Sequence, residues 1–440
     1  MRDNSGMARG DMARLYHALS SYKLGDDFPA PPADHPLVLQ DLVTNDFATW
    51  PYPYKRYAED LPRTPLPREL SGLGRVLYLS AGVVRTTERE GRPKMLFRAA
   101  GSAGGRFPLE LYVSAPDGVH WYDPEAHALV RIAAPASGEA TTLIVTGVPW
   151  RTAWRYAERG FRHLYWDAGT MLAQTLALAP EGRLITRFPD ARVSELVGAD
   201  GTHEFPLALV ALGDGAPRIE PTAPAAGGAV DHAPRELPLI TATQRAGDSE
   251  DLGAPWPLHH TPVDDDVILR RGSTRRMDPA RTIPRTAFER IFSRALRDAR
   301  HPHYVAIHGV EDVEPGVYRW PEPLRTGNLR EELYRLCWDQ PLGRTAAFVV
   351  MGAMDLDALD DREYREALLD AGIVEGRLHL EAYAHGFGAS GMTFLDSEFE
   401  ATIGTPLAAT LFTCVGVPTY RNRRGGAPGE PVAVVAPAPE

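Results

Sequence analysis

The sequence is poor in cysteine, in lysine and in long apolar runs. Only two cysteines occur in 440 residues, which excludes a disulfide scaffold and a cysteine-based metal site. No run approaches the ~18 apolar residues of a membrane span, and the N-terminus lacks the apolar segment of a signal peptide. Only three lysines are present, so arginine supplies most of the positive charge. We therefore expect a cytoplasmic protein with no contact to a membrane.

The charge balance excludes further classes of function. The formal net charge is −11 at pH 7, whereas binding to a nucleic-acid backbone requires a basic surface. His259, His260, His301 and His303 have no carboxylate or cysteine partners at the spacing of metal ligands, so we expect no metal site. An apolar content of 44% and a charged content of 24% are ordinary for a globular protein. A chain of this length suits two domains.

One stretch carries the strongest local signal. Arg98 is followed by the small-residue loop Ser102-Ala103-Gly104-Gly105 and then by an apolar strand, Leu109 to Val113. Glycines lack a Cβ atom, so they let the backbone approach a ligand closely and expose its N–H groups. Most such loops are ordinary tight turns. The loop therefore needs support from other segments before it indicates a binding site.

Three other segments accompany this loop. They are the run from Trp154 to Arg162 (WRYAERGFR), the arginine-rich run from Arg270 to Arg275 (RRGSTR) and the glycine-rich run from His385 to Phe394. Together they resemble the motifs of the nitroreductase superfamily, in particular the SagB/ThcOx (McbC-like) FMN-dependent dehydrogenases in a tandem-domain form. The resemblance implies an α+β fold with a mixed, mainly antiparallel sheet flanked by helices. It also implies FMN as the cofactor.

The chain repeats itself. Gly118-Val-His-Trp-Tyr is echoed by Gly316-Val-Tyr-Arg-Trp, and Arg159 to Leu164 is echoed by Glu375 to Leu380. We interpret this as a duplication of about 150 residues, too long for a solenoid repeat. It predicts two nitroreductase-like domains fused as an internal pseudo-dimer. The predicted segments are an N-terminal extension 1–72, a first domain 73–213, a Pro/Gly-rich linker 214–262 and a second domain 263–440.

Local patterns predict individual elements within these segments. The predicted helices are Met7–Ser21, Leu73–Gly82 and Arg159–Leu178. The predicted strands are Leu109–Val113, Gly118–Tyr122, Ala128–Ile132, Leu207–Leu212 and Leu411–Val417.

The motifs are divided between the two repeats. The first repeat keeps the Ser102–Gly105 loop, where the second has Arg300-His-Pro-His without glycine. The second repeat keeps the arginine cluster and the Gly388–Gly391 turn, which the first lacks. This division is what one shared pocket requires, so we expect one FMN per chain. The residues expected to contact it are Arg98, Ser102, Ala103, Gly104, Gly105, Arg270, Arg271, Ser273, Arg275, Gly388, Ala389, Ser390, Gly391, Arg421, Arg423 and Arg424.

The arginines in this set suit the FMN phosphate, because a guanidinium forms charge-assisted hydrogen bonds with phosphate oxygens. Solvated surface arginines are the alternative interpretation, above all for Arg421, Arg423 and Arg424.

The proton-transfer residues are expected at Arg155-Tyr156. In the family that the chain resembles, a Lys-Tyr pair occupies this position, and here arginine replaces the lysine. Arginine does not deprotonate in proteins, so it cannot be the general base. Tyr156 is therefore the catalytic candidate, with Arg155 stabilising its ionised form. The alternative is a tyrosine at a helix end with its hydroxyl at the surface.

The resemblance implies oxidation of azoline rings to azoles, thiazoline or oxazoline to thiazole or oxazole, on a ribosomally made peptide in natural-product biosynthesis. A cyclodehydratase is the expected partner. Two alternatives stay open. One is an NAD(P)H-dependent nitroreductase-like enzyme that acts on a small molecule. The other is a flavin-free scaffold subunit of a peptide-modifying complex.

Overall fold

The computed structural model of the protein describes residues 8–28 and 33–435. Its α-helices are α1 Asp11–Ser20, α2 Gly72–Ala81, α3 Pro149–Tyr156, α4 Gly160–Leu178, α5 Asp190–Val197, α6 Pro238–Ala246, α7 Asp265–Arg270, α8 Arg285–Ala295, α9 Arg330–Leu336, α10 Leu342–Thr345, α11 Asp361–Ala384 and α12 Phe399–Ile403. Its strands are β1 Arg63–Pro65, β2 Val83–Arg89, β3 Arg92–Arg98, β4 Leu109–Ala115, β5 Gly118–Asp123, β6 Ala128–Ala133, β7 Thr141–Gly147, β8 Gly182–Ile185, β9 Phe205–Leu212, β10 His303–Ile307, β11 Gly316–Arg319, β12 Glu322–Thr326, β13 Phe348–Met354, β14 Gly388–Met392, β15 Ala408–Gly416 and β16 Val432–Ala433.

The described residues form two compact units. The larger unit contains residues 33–262 and 424–435, and the smaller unit contains residues 8–28 and 263–423. Both units combine helices with antiparallel sheets, as the sequence predicts.

The larger unit is built on a seven-stranded sheet with the order β1-β6-β5-β4-β7-β9-β8, in which all neighbouring strands are antiparallel. All 19 residues of α4 are buried, and this helix contacts β4, β7 and β9. A helix buried on every side is a core element rather than an amphipathic surface helix. A separate three-stranded sheet places β2 between β3 and β16.

Helix α3 is fixed to the main sheet of the larger unit by a buried ion pair. Arg151 on α3 lies 2.6 Å from Glu110 on β4, measured from Nη1 to Oε1, and both side chains are 1% exposed. Trp121 donates its Nε1–H to the other carboxylate oxygen of Glu110 at 2.8 Å. Burial raises the pKa of Glu110, but Arg151 and Arg98 outweigh it and lower the pKa overall. The carboxylate therefore stays charged and anchors α3, which ends at Tyr156.

The smaller unit contains a six-stranded antiparallel sheet with the order β12-β11-β10-β13-β15-β14. Helix α11 is its long central helix, and its first turn carries a capping box. Asp360 accepts the N–H of Glu363, and the Glu363 side chain accepts the N–H of Asp360. Helix α1 packs against this end of α11, where Asp361 accepts the backbone N–H groups of Gly10 and Ala13.

The two sheets have the same topology. If β4 to β9 are matched in order with β10 to β15, the two strand orders correspond. The order β6-β5-β4-β7-β9-β8 in the first sheet becomes β12-β11-β10-β13-β15-β14 in the second. The long helix α4 follows β7, as α11 follows β13. His163 and His379, which the repeat matches, lie on these two helices. The predicted α+β architecture is confirmed, and the two sheets have equivalent strand orders.

Two segments differ from the sequence-based expectation. The segment 214–262, predicted as a loose connector, belongs to the larger unit and contains α6, whose buried face includes Leu239 and Ile240. The segment 1–72 divides between the units, because residues 8–28 pack with α11. The proline and glycine content of 214–262 obscured helix α6 in the sequence. The placement of residues 8–28 depends on a long-range contact with α11, which local sequence patterns do not reveal. Met7, the predicted start of the first helix, lies outside the described residues.

Candidate active site

The Ser-Ala-Gly-Gly loop of the larger unit is held by a carboxylate from the central helix. Asp167 on α4 accepts the Ser102 hydroxyl at 2.5 Å and the backbone N–H of Ala103 at 3.0 Å. Ser102 Oγ in turn accepts the N–H of Phe107 at 2.8 Å. Because Asp167 is 5% exposed, these bonds form where water competes little. The serine therefore shapes the loop through its own hydrogen bonds.

Gly104 brings this loop against the predicted catalytic pair. Its backbone has φ of 58°, and a Cβ atom built there would lie 2.7 Å from both the Tyr156 hydroxyl and Arg155 Cδ. A side chain at this position would collide with both groups, so only glycine permits the approach. The structure thus places two of the predicted motifs, the loop and Arg155-Tyr156, in direct contact.

Tyr156 is the last residue of α3 and is 8% exposed. The next residue, Ala157, has φ of 47°, a left-handed conformation that costs energy for a residue with a side chain. The Tyr156 ring stacks on the ring of His163, with centroids 4.0 Å apart and an interplanar angle of 29°. Burial, reinforced by Arg159, Arg162 and Arg155, lowers the pKa of His163 well below its usual value. His163 is therefore neutral and offers Tyr156 a flat, uncharged neighbour.

Arg106 lies beside this pair and was not singled out by the sequence. Its guanidinium carbon is 4.1 Å from the ring centroid of Trp50 and 4.8 Å from that of Trp154. Burial lowers the pKa of Arg106 to about 10, and Tyr156 and Arg155 act on it electrostatically. Arg106 lines an open cleft of the larger unit whose empty volume is about 530 Å³.

The other predicted loop residues have ordinary structural contacts. Arg98 is 7% exposed and donates from Nη1 to Leu109 O at 2.6 Å and from Nη2 to Pro53 O at 2.8 Å. Gly105 has φ of 65°, and a Cβ there would lie 3.0 Å from Met95 Cε. Their contact with FMN stays a prediction. The Arg98 side chain already connects β3 to β4 through its hydrogen bond to Leu109 O.

The arginine-rich run of the smaller unit follows α7 and pairs with β14. Ser273 forms a parallel bridge with Ala389, and Thr274 donates its N–H to Ala389 O at 2.9 Å. Arg270 is exposed and forms an ion pair with Asp266, whereas Arg271 is 4% exposed. The two predicted flavin-contact segments of the second repeat, Arg270–Arg275 and Gly388–Gly391, therefore lie side by side.

Neighbouring side chains explain why β14 has glycine at two positions. A Cβ at Gly388 would overlap Thr274 Oγ1, and one at Gly391 would overlap a carboxylate oxygen of Glu375. Glu375 is the neighbour of His379, with 3.6 Å between Oε1 and Nε2. Burial lowers the pKa of His379, and Arg271 and Arg275 add to that shift while Glu375 opposes it. Ser390 is 1% exposed on the same strand.

A tyrosine connects these segments of the smaller unit. Tyr383 donates its hydroxyl to Gly272 O at 2.8 Å and lies 3.0 Å from Thr274 Oγ1. Asn422 donates from Nδ2 to the same hydroxyl at 2.6 Å. Arg275 donates its backbone N–H to the hydroxyl of Tyr420 at 2.9 Å. These contacts fix the backbone of the arginine-rich run.

The three C-terminal arginines lie on the surface. Arg421 and Arg423 are exposed at the end of the smaller unit, and Arg424 is exposed in the larger unit, with Nη1 3.4 Å from Gly425 O. Their role in phosphate binding stays a prediction. Within the described ranges 8–28 and 33–435, no group of three His, Cys, Asp or Glu side chains is arranged to hold a metal ion. In the same ranges, every helix is too short or too polar to cross a bilayer.

Sequence reasoning missed Asp167, Arg106 and Asn45, although all three lie at the predicted motifs. Asn45 accepts a hydrogen bond from Arg155 Nη1 at 3.2 Å through Oδ1. Asp167 is distant from Ser102 in sequence, and only the fold brings them together. Arg106, directly after the glycine loop, was the one residue that proximity in sequence could have indicated.

Comparison with known proteins bears on the fold. No protein-family model matches the chain. A curated nitroreductase-type protein of Methanocaldococcus jannaschii, MJ1384, is 28% identical over 172 aligned residues, which cover 33% of this chain and 81% of that protein. A nitroreductase-type protein from Anabaena variabilis has a crystal structure that matches 92% of this chain and 99% of its own, with a TM-score of 0.75 and 22% identity. The chain has a nitroreductase-like fold.

The nitroreductase-like fold thus extends over both halves of the chain, because the Anabaena structure matches nearly its whole length. One chain of the E. coli microcin synthetase McbBCD complex, solved with truncated pro-MccB17 bound, matches 36% of this chain and 70% of its own at 17% identity. Its TM-score of 0.28 is too low to support a conclusion about subfamily or substrate.

Proposed function

We propose that the protein is an FMN-dependent oxidoreductase of the dehydrogenase type. The observation that supports this most is the meeting of the Gly104 loop with Arg155 and Tyr156, where a Cβ on the glycine would lie 2.7 Å from the phenol oxygen. Two segments that resemble flavin-enzyme motifs are therefore neighbours in space. The glycine keeps the loop backbone, whose N–H groups can face a cofactor, beside the proposed catalytic side chains.

The residues present fit FMN in charge and in shape. In the larger unit, the loop from Ser102 to Gly105 would contact the ring through its backbone. In the smaller unit, Arg271 and Arg275 belong to the arginine-rich run that pairs with β14, and guanidiniums suit a phosphate. Arg270, Ser273 and the Gly388–Gly391 strand complete that proposed set. Bound FMN would supply a two-electron acceptor for a hydride.

The chain's own residues handle the proton. Tyr156 Oη is the group that accepts a proton from the substrate, since arginine stays protonated in proteins. Arg155 lies with its guanidinium carbon 5.6 Å from the Tyr156 ring centroid and supplies a permanent positive charge beside the phenol. The stack on neutral His163 holds the ring orientation.

We propose azoline rings on a ribosomally made peptide as the substrate, with a cyclodehydratase as the partner. This step removes two hydrogens from the ring, one as a hydride and one as a proton, and forms the aromatic azole. The proposal is supported by the Trp154-Arg155-Tyr156 segment and by its place beside the glycine loop. The alternative, an NAD(P)H-dependent reductase for small molecules, needs a nicotinamide as electron donor instead.

The test combines cofactor content with electron flow. The purified chain is saturated with FMN, passed through a gel-filtration column and examined by visible absorbance, and we expect a bound flavin spectrum. Anaerobic addition of a thiazoline peptide should bleach the flavin, whereas NADH or NADPH should not. Bleaching by NAD(P)H alone would favour the reductase, and a colourless protein would favour a scaffold. Arg275→Ala should lower FMN affinity ten-fold or more, because one charge-assisted fork contributes ~1.5–3 kcal/mol.

A further inference from the structure

The cleft beside the proposed catalytic pair has an unusual lining. Twelve residues line it, and none of them is acidic. Four of them are arginines: Arg89, Arg92, Arg106 and Arg155. Arg89 and Arg92 are exposed, whereas Arg106 is buried and Arg155 half-buried. In a chain whose net charge is −11, two such cations in a cleft with no acidic lining residue suit an anion.

Arg106 is the central cation of this cleft. It is 8% exposed, and in the described part of the chain its polar contact is the carbonyl of Gly104, which Nε reaches at 3.3 Å. No carboxylate among the described residues pairs with it. A buried guanidinium without a counter-ion is costly, and a bound anion would relieve that cost.

Arg155 is the second cation and points to the same conclusion. Its Nη1 donates to Asn45 Oδ1 at 3.2 Å, while its buried Nε has no hydrogen-bond partner among the described residues. Arg155 and Arg106 repel one another, which contributes to the lowered pKa of Arg106. Two neighbouring guanidiniums of this kind match the two oxygens of one carboxylate.

The walls of the cleft are flat and rigid. Phe47 and Trp50 stack with centroids 5.5 Å apart at 13°, and Trp50 meets Trp154 edge-on at 4.9 Å. Trp154 is held in place by donating its Nε1–H to Asp46 O at 2.9 Å. Aromatic surfaces beside paired arginines suit a ligand with a planar or apolar body and a charged end.

We propose that this cleft binds the free C-terminal carboxylate of a peptide substrate whose last residue carries the azoline ring, with Arg106 and Arg155 as its receptors and the aromatic wall of Phe47, Trp50 and Trp154 holding the adjoining planar ring. This inference rests on the proposed function in one respect: it takes the carboxylate ligand to be the substrate of the proposed enzyme. The same arginines then have two roles, because Arg155 also neighbours Tyr156. Binding through the carboxylate would set the oxidised ring at a fixed distance from the phenol.

The test uses benzoate as the probe and the FMN-loaded full chain as the receptor. Isothermal titration calorimetry should show saturable binding of benzoate and at least ten-fold weaker binding of benzamide, its uncharged analogue. Arg106→Gln and Arg155→Gln should each weaken benzoate ten-fold or more. Arg131→Gln, an exposed arginine on β6 of the same unit, is the matched control and should bind benzoate normally. Arg155 is only partly buried, so its variant keeps the test valid if Arg106→Gln fails to fold.

Four outcomes would overturn the proposal. Equal binding of benzamide and benzoate would show that the cleft recognises the ring and not the charge. Unchanged affinity in both arginine variants would remove its receptors. Displacement of benzoate by excess FMN, with loss of FMN in both variants, would assign the cleft to the cofactor phosphate. Normal flavin content without benzoate binding would reject this inference alone, whereas benzoate binding by a protein that takes up no FMN would reject only the proposed function.

Discussion

At the scale of single residues, the proposed site has Arg155 at the position where the family that the chain resembles has a lysine. Arg155 remains a cation at every physiological pH, so its neighbour Tyr156 is left as the group that can exchange a proton. The phenol is nearly buried, stacked on a neutral imidazole and close to two guanidiniums. Its hydroxyl lies 2.7 Å from the position of a Cβ atom built on Gly104, beside the loop proposed to contact FMN.

Replacing Tyr156 by phenylalanine tests this role directly. The change removes the hydroxyl and keeps the ring that stacks on His163, so the fold and the flavin content should be unchanged. Turnover of the azoline substrate should fall ~10²–10⁴-fold, the usual contribution of a general acid–base group. Tyr334→Phe in the smaller unit, whose ring lies 4.5 Å from the Arg344 guanidinium, is the control and should keep full activity. Retention of wild-type turnover in Tyr156→Phe would remove the residue from the mechanism.

A second prediction concerns the buried histidine at the end of β10. His308 is 7% exposed and lies 3.1 Å from Gly343 O through Nε2, and burial together with Arg330 lowers its pKa to about 4. The unfolded chain binds a proton near pH ~6.5, so below that pH it binds more protons than the folded chain. Stability should therefore fall as pH decreases from ~6.5 towards ~4, by up to ~1.4 kcal/mol per pH unit for this residue.

His308→Asn removes this linkage and should flatten the dependence of unfolding free energy on pH. The measurement is urea denaturation followed by circular dichroism at several pH values, with the slope rather than the absolute stability compared. An identical slope in the variant and the wild type would show that His308 does not titrate on unfolding.

At the scale of elements, the glycine loop is defined by a close approach rather than by flexibility. Gly104→Ala should incur two costs, the left-handed φ of 58° and the collision with Tyr156 and Arg155. Gly201 has φ of 72° and nothing within 4 Å of a built Cβ, so Gly201→Ala incurs the first cost alone, ~1–2 kcal/mol. We expect Gly104→Ala to lose ~1–3 kcal/mol more than this control, and to lose turnover as well. Equal urea midpoints and normal turnover would contradict the close approach.

The regular elements could be predicted because their signals are local. The hairpin of β5 and β6 follows from apolar residues on both sides of the turn at Asp123, and α4 follows from a mostly apolar stretch without proline. The pairing of β16 with β2 could not be predicted, because two short segments separated by most of the chain form it. The site divides in the same way. Gly104 and Tyr156 lie in recognisable motifs, whereas the bond from Ser102 to Asp167 exists only after α4 packs behind the loop.

At the scale of the whole molecule, the two repeats keep one topology and have diverged in their loops. The segment before β4 contains the glycine loop, and the equivalent segment before β10 contains Arg300, His301 and Pro302 instead. There, Asp370 on α11 accepts the backbone N–H groups of Arg300 and His301 at 2.9 and 3.2 Å. In both repeats a carboxylate from the long helix therefore holds this loop. The two carboxylates occupy different positions, Asp167 four residues after His163 and Asp370 nine residues before His379. The small residues that permit a close approach occur in the first repeat.

This divergence leads to a stoichiometry for the cofactor. Two intact repeats would bind two FMN molecules, but the second repeat lacks the Ser-Ala-Gly-Gly loop and the first lacks the Arg-Arg-x-Ser run. A second site would lose several charge-assisted bonds at once, each ~1.5–3 kcal/mol, which weakens binding by several orders of magnitude. We therefore expect one FMN per chain, measured as flavin absorbance against protein concentration after saturation and gel filtration. A ratio near two would show that both repeats retain a working site, and the argument from divided motifs would fail. A Gly104→Ala chain that still binds one FMN would assign the flavin to the arginine-rich run alone.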